Sequence, residues 1–150
     1  CKEEIYDAVM DGSPKGTIEL FHGYTYSGIP VSVAAALAVQ DIFEKEDIFK
    51  RAKELSPYFQ EAIFSLKDID IVENIRGYGM MAGIDMKMDQ KPGKAGFSCF
   101  KHCYEVGVNF KATGDCLIIA PMFISEKKHI DEIVDKLRTG ITNYSKNKKN

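Results

Sequence analysis

The sequence predicts an α/β chain: an α+β lobe whose small mixed or antiparallel sheet is covered by helices, preceded by an Ala-rich interface helix. Three observations carry that expectation. Several segments repeat apolar residues every three or four positions, as one face of a helix does. Shorter segments are β-branched and bounded by Gly or Asp, as strands are. No internal repeat or low-complexity linker interrupts the alternation of the two.

Taken in order, Glu3 to Met10 has helical periodicity and stops at Asp11-Gly12-Ser13-Pro14, and Thr17 to Phe21 reads as a strand. From Pro30 to Phe43 a helix carries Ala34, Ala35, Ala36 and Ala38, side chains small enough for another backbone or subunit to approach, so its first half is expected to be buried. Asp47 to Leu66 places Ile48, Phe49, Ala52, Leu55, Phe59, Ile63 and Leu66 on one helical face, and Pro57 should kink or divide it. Ile69 to Ile75 and Met80 to Met86 follow as strands, with Gly77 and Gly79 allowing a turn or bulge between them. A helix from Gly96 to Glu105, ended by Gly107, precedes a hairpin in which Val108 to Lys111 and Cys116 to Ala120 flank Thr113-Gly114-Asp115. The closing helix, Glu126 to Tyr144, has Ser125 as its expected cap and Ile130, Ile133, Val134, Leu137 and Ile141 as its apolar stripe. The one plausible boundary lies near Glu44 to Asp47, which divides the chain into residues 1–46 and 47–150.

A chain of 150 residues with 45% hydrophobic and 28% charged residues can bury a core of its own. A net charge of −2 and a pI near 5.9 argue against nucleic acid held by phosphate contacts, and the basic tail from Lys146 to Lys149 reads as a solvated terminus. The longest apolar run, Val33 to Val39, is far short of the ~20 residues that cross a bilayer, so no membrane partner and a cytoplasmic location are expected. Cys1, Cys99, Cys103 and Cys116 are scattered through core-like patterns and are expected as free thiols. Cys99 and Cys103 share a helical face with His102 to the side, but no second ligand pair completes a tetrahedral metal site, so no metal is assigned.

The most chemical stretch is His22 to Leu37. Gly23, Thr25, Ser27 and Gly28 leave a hydroxyl-bearing backbone free to curl just before Pro30 opens a helix, and a helix N-terminus offers unpaired N–H groups and partial positive charge to an anion. An ordinary capped turn is the plainer reading of the same residues.

This stretch, His22-Gly23-Tyr24-Thr25-Tyr26-Ser27-Gly28-Ile29-Pro30, resembles the loop His-Gly-Tyr/Phe-Thr-Tyr-Ser-Gly-His-Pro of the class III pyridoxal-phosphate aminotransferases. Arg76-Gly77-Tyr78-Gly79-Met80-Met81-Ala82-Gly83-Ile84 is similar to the family's Arg-Gly-x-Gly-Leu-x-x-Gly strand. Thr113 to Pro121 is similar to its Gly-Asp-x-x-x-x-x-Pro strand pair, and Glu4 to Asp7 to the helix before the loop. The resemblance runs from about Ile5 to Tyr144 and is closest in wording to the omega-amino-acid–pyruvate group.

It implies the C-terminal part of the type I pyridoxal-phosphate transferase fold, with the end of the large cofactor-binding domain in 1–46 and the small domain in 47–150. It implies amino transfer from an omega-amino acid or amine to a keto acid such as pyruvate, in a homodimer. The lysine that such enzymes bind covalently to the cofactor lies before the helix that Glu4 to Val9 resemble, so the chain is expected to be the C-terminal part of a longer enzyme, inactive alone, and no catalytic residue is assigned. Thr25 matches the threonine that binds the cofactor's phosphate across the dimer interface, assisted by the backbone of Tyr24; packing at a loop is the alternative for Tyr24 and Tyr26. Ile29 replaces the usual His. Lys111 matches an Arg that binds the substrate carboxylate, and lysine keeps the charge while losing the bidentate fork. That replacement leaves three readings: altered carboxylate recognition, a different amino donor, or an exposed Lys with no role.

Arg76 is expected to be a structural charge at a strand end, able to pair with a carboxylate, Asp115 a turn residue with local hydrogen bonds, and His22, His102 and His129 to lack catalytic partners. Alternatives are another class III member, such as a 4-aminobutyrate, ornithine or diaminopelargonate-type aminotransferase or an aminomutase, and a non-catalytic ligand-binding or interaction module.

Overall fold

A computed structural model describes residues 2–13 and 25–148; the expected strand at Thr17 to Phe21, His22 and Tyr24 lie outside them. The chain separates into two compact units, Cys1–Gln40 and Asp41–Asn150.

In the first unit, α1 (Glu3–Gly12) opens with Glu3 and Glu4, acidic residues that suit the positive end of a helix. It ends where the Ser13 hydroxyl donates to the Val9 carbonyl at 2.6 Å. A turn over residues 25–28 leads into α2 (Pro30–Lys45), which begins at the expected proline and runs past the unit boundary. No residue of α2 is buried, and Val31, Val33, Leu37 and Val39 are exposed. The expected burial of its first half is therefore corrected. An apolar run signals that a neighbour is wanted, and the described residues supply none for this one.

The second unit contains α3 (Ile48–Phe64), β1 (Val72–Tyr78), β2 (Met81–Met86), α4 (Lys94–Glu105), β3 (Lys111–Thr113), β4 (Cys116–Ile119) and α5 (Lys127–Lys148). The strands form an antiparallel sheet in the order β1-β2-β4-β3. Helices supply the other half of the core: Phe59 and Ile63 of α3, Cys99 and Cys103 of α4, and Leu137 and Ile141 of α5 are fully buried with Ile84 and Leu117 of the sheet.

Where α4 and α5 meet, a Cβ on Gly140 would lie 2.7 Å from the Cys103 Cα, so only glycine lets the two backbones come this close. Cys99, Cys103 and Cys116 are free thiols, the first two packed as small apolar side chains.

Several boundaries differ from the sequence expectation for identifiable reasons. Helix α3 is not divided at Pro57; Pro57 and Lys53 are both exposed, so water can serve the Lys53 carbonyl that loses its donor. A 3₁₀ turn over Ser65–Asp68 and a further turn, Val72 N–H to the Ile69 carbonyl at 2.8 Å, delay the start of β1 to Val72. Gly77 is not in the turn. It pairs with Ala82 inside the ladder, and its missing Cβ makes room for the Gln60 side chain, whose Oε1 would otherwise be 2.1 Å away. The turn itself is Gly79-Met80, with Gly79 at φ +58°, and the bulge lies at Val72 to Asn74. Ser125 does not cap α5. The carbonyl of Glu126 accepts the first helical bonds, and the Glu126 N–H donates to His129 Nδ1 at 3.0 Å, the returning half of a capping box, made here by histidine.

Candidate active site

Two places in the chain carry site-like chemistry, one in each unit. In the first, Thr25 stands exposed at the start of the 25–28 turn, Gly28 takes φ +77°, and α2 starts two residues later. The first helical bond runs from the Val33 N–H to the Ile29 carbonyl at 3.0 Å, so the Val31 and Ser32 amides point out of the helix end. A neutral hydroxyl beside a helix N-terminus suits an anion.

The second place is the open face of the sheet. Burial alternates along β2 and β4, with Ala82, Ile84, Leu117 and Ile119 turned to the helices and Gly83, Asp85, Cys116 and Ile118 to the other side. Register places Arg76, Gly83, Ile118 and Lys111 in one row across the four strands. At the usual strand spacing, the backbones of Arg76 and Lys111 stand roughly 14 Å apart. Arg76, Tyr78, Met81, Gly83, Cys116 and Ile118 line an apolar groove of about 570 Å³ on this face.

The two cations in the row are not equivalent. Arg76 forms an ion pair with Asp85 and reaches Cys116 Sγ with Nη2 at 3.4 Å, its guanidinium lying across Gly83, where a Cβ would be 3.6 Å from Cζ. The hydrogen bond and charge of Asp85 hold the guanidinium above its ordinary value. Burial pushes the Cys116 thiol up and Asp85 adds to this, while Arg76 opposes it. Arg76 is therefore the structural, carboxylate-paired charge that the sequence led us to expect, though it sits within β1 rather than at its end. Lys111 is exposed and has no ion-pair partner among the described residues. Sequence reasoning missed Asp85 as the partner, although its position on the outward side of β2 was readable from the alternation.

Asp115 departs from expectation. Its carboxylate does not bond locally: Oδ2 accepts the Gly93 N–H at 2.9 Å and Oδ1 the Gly96 N–H at 3.0 Å, both at the start of α4. His102 is held on α4, with Nδ1 donating to the Ser98 carbonyl at 2.9 Å and Nε2 accepting from Asn147 at 2.9 Å. His129 serves the α5 cap. Among the described residues no cluster of three or more His, Cys, Asp or Glu could hold a metal ion, and no helix is long and apolar enough to cross a membrane.

The sequence model of the class III aminotransferase family matches residues 1–141. This chain belongs to the class III aminotransferases. It is 41% identical to the omega-aminotransferase of Caulobacter vibrioides over 138 residues, which is 90% of this chain and 31% of that protein. It is 33% identical to the putrescine–pyruvate aminotransferase of Pseudomonas aeruginosa, over 91% of this chain and 30% of that protein. A solved transaminase with L-Ala superposes with a TM-score of 0.76 at 27% identity, covering 83% of this chain and 30% of its own. The chain thus spans about a third of the length of these class III relatives. The superposition carries the type I fold to this chain, with its small antiparallel sheet and covering helices.

Class III aminotransferases are pyridoxal-phosphate-dependent. The described residues fit one end of that cofactor: Thr25 and the start of α2 offer neutral donors of the kind that surround a phosphate dianion.

Proposed function

We propose that this chain forms the C-terminal part of a pyridoxal-phosphate aminotransferase that moves an amino group from an omega-amino acid or amine to a keto acid such as pyruvate. The observation that carries the reading is the open sheet face, where Arg76 is neutralised by Asp85 and Lys111, beside an apolar groove, has no counter-ion among the described residues. A carboxylate-bearing substrate is the natural counter-ion for such a charge, and the groove suits its methylene chain.

Three roles follow for the residues of this chain. Thr25, with the Tyr24 backbone, holds the phosphate of the cofactor in the partner subunit of a homodimer. Lys111 holds the substrate carboxylate as a point charge, less selective in angle than an arginine fork. The apolar face of Met81 and Ile118 keeps water from the substrate chain. The cofactor, when bound, supplies the electron sink for the reaction. In this reading residues 1–46 close the large domain, 47–150 form the small domain, and the enzyme is cytoplasmic. In this reading no lysine of this chain takes the place of the family's cofactor-bound lysine, so this chain by itself is expected not to transaminate.

The test is amino transfer to pyruvate by the complete gene product, with β-alanine and with putrescine as donors. Turnover of either supports the reading. Lys111→Ala is expected to raise the KM for β-alanine about tenfold, the worth of one charge-assisted hydrogen bond. An unchanged KM removes Lys111 from the site.

A further inference from the structure

Lys111 lies on an edge strand of three residues that pairs only with β4, a poor platform for a binding charge. Helix α4 compensates at both ends of that strand. Just before Lys111, the Phe110 ring packs edge-on against Phe100 of α4, with centroids 5.5 Å apart. Just after Thr113, the hairpin turn Gly114-Asp115 is tied to the first turn of α4 by the two hydrogen bonds from Gly93 and Gly96 to the Asp115 carboxylate.

The fit at the turn is close. A Cβ on Gly96 would lie 2.2 Å from the Gly114 carbonyl oxygen, so the hairpin tip rests on bare backbone. The carboxylate also answers amides at the positive end of α4 that have no intrahelical acceptor. The turn is therefore fixed in distance by Gly96 and in direction by Asp115.

We propose that Asp115 is a positioning residue for substrate-carboxylate binding: by tying the β3–β4 turn to the N-terminus of α4, it sets where the Lys111 ammonium stands. This deepens the reading of Lys111 given above and rests on it. Asp115 touches neither substrate nor cofactor in this account. Its effect reaches the substrate through the backbone of the hairpin from which the Lys111 side chain projects, which sets the region the ammonium can reach.

The test uses the complete gene product loaded with pyridoxal phosphate and follows the amino-donor half-reaction alone, so that no keto acid competes for Lys111. β-Alanine and butylamine are compared as donors with and without a carboxylate, in Lys111→Ala, Asp115→Ala, Asp115→Asn and Gly96→Ala. Asp115→Ala is expected to lower the β-alanine over butylamine selectivity roughly tenfold, through KM rather than kcat. Asp115→Asn keeps one acceptor oxygen and should fall between it and wild type. Gly96→Ala keeps the carboxylate but displaces the tip, and should also lower the selectivity.

Faster amide hydrogen exchange at Gly93 and Gly96 in Asp115→Ala would show that the tie has been cut. If Lys111→Ala leaves the selectivity unchanged, the carboxylate role of Lys111 is wrong and this inference falls with it. If Lys111→Ala lowers the selectivity while Asp115→Ala and Gly96→Ala do not, or if both donors suffer equally in them, Lys111 keeps its role and Asp115 is a fold residue only.

Discussion

The lobe from Asp41 to Asn150 and the helix α2 that leads into it are similarly apolar in sequence but opposite in the structure. In the lobe, Phe59, Ile63, Leu117, Leu137 and Ile141 are fully buried. In α2, no residue is buried and Leu37 is 64% exposed. The lobe's apolar residues find one another within the chain. Those of α2 form a stripe that no described residue covers, the arrangement expected of an interface helix whose neighbour is another domain or subunit. Apolar patterning thus identifies surfaces meant for burial without saying which chain buries them.

The comparison is broken most readily from the lobe's side. Phe59→Ala should cost about 3–5 kcal/mol, since it empties a fully buried site, whereas Leu37→Ala should stay within about 0.5 kcal/mol; urea unfolding of this chain measures both. Comparable losses at the two positions would erase the distinction. Gly140→Ala, which drives a methyl group into the Cys103 backbone, should cost about 1–3 kcal/mol in the same assay.

A pH effect of similar size also belongs to the lobe. The Tyr144 phenol, 4% exposed and bonded to Asp89 at 3.3 Å, is pushed up to about 12 by burial and then by the Asp89 charge. A group raised in the folded state contributes stability that is present below the unfolded pKa near 10 and lost as pH rises through 12. The difference in unfolding free energy between wild type and Tyr144→Phe should therefore narrow by roughly 2 kcal/mol from pH 9 to 12. A constant difference would mean the phenol titrates normally.

Smaller effects sharpen the contrast. With its stripe uncovered by any described residue, this chain should self-associate at micromolar concentration in sedimentation experiments, and Leu37→Glu should reduce the association without lowering the unfolding midpoint. On the open sheet face, Asp85→Asn removes two influences that raise the Cys116 thiol and leaves Arg76, which lowers it. Cys116 should then alkylate faster at neutral pH, and slower in Arg76→Gln.

What was legible in the sequence follows the same division. Helices α3 and α5 announced themselves because Phe59 and Ile63, or Leu137 and Ile141, fall four residues apart on faces their own chain buries. The Thr25 turn and the proline start of α2 were legible because loop chemistry is local. Asp115 was misread because its partners, Gly93 and Gly96, lie 22 and 19 residues earlier and nothing in the turn points to them. Gly77 was misread for a like reason, its requirement being set by Gln60 on another element. Lys111 was singled out by resemblance alone; that no described carboxylate partners it needed the sheet register.

The most direct measurement is an absorbance titration with pyridoxal phosphate, followed by borohydride reduction and peptide mapping, on this chain and on the complete gene product. The account predicts a saturable shifted band in the complete product, with the trapped cofactor on a lysine outside these 150 residues, and no such band in this chain alone. Trapping at one lysine of this chain would contradict it.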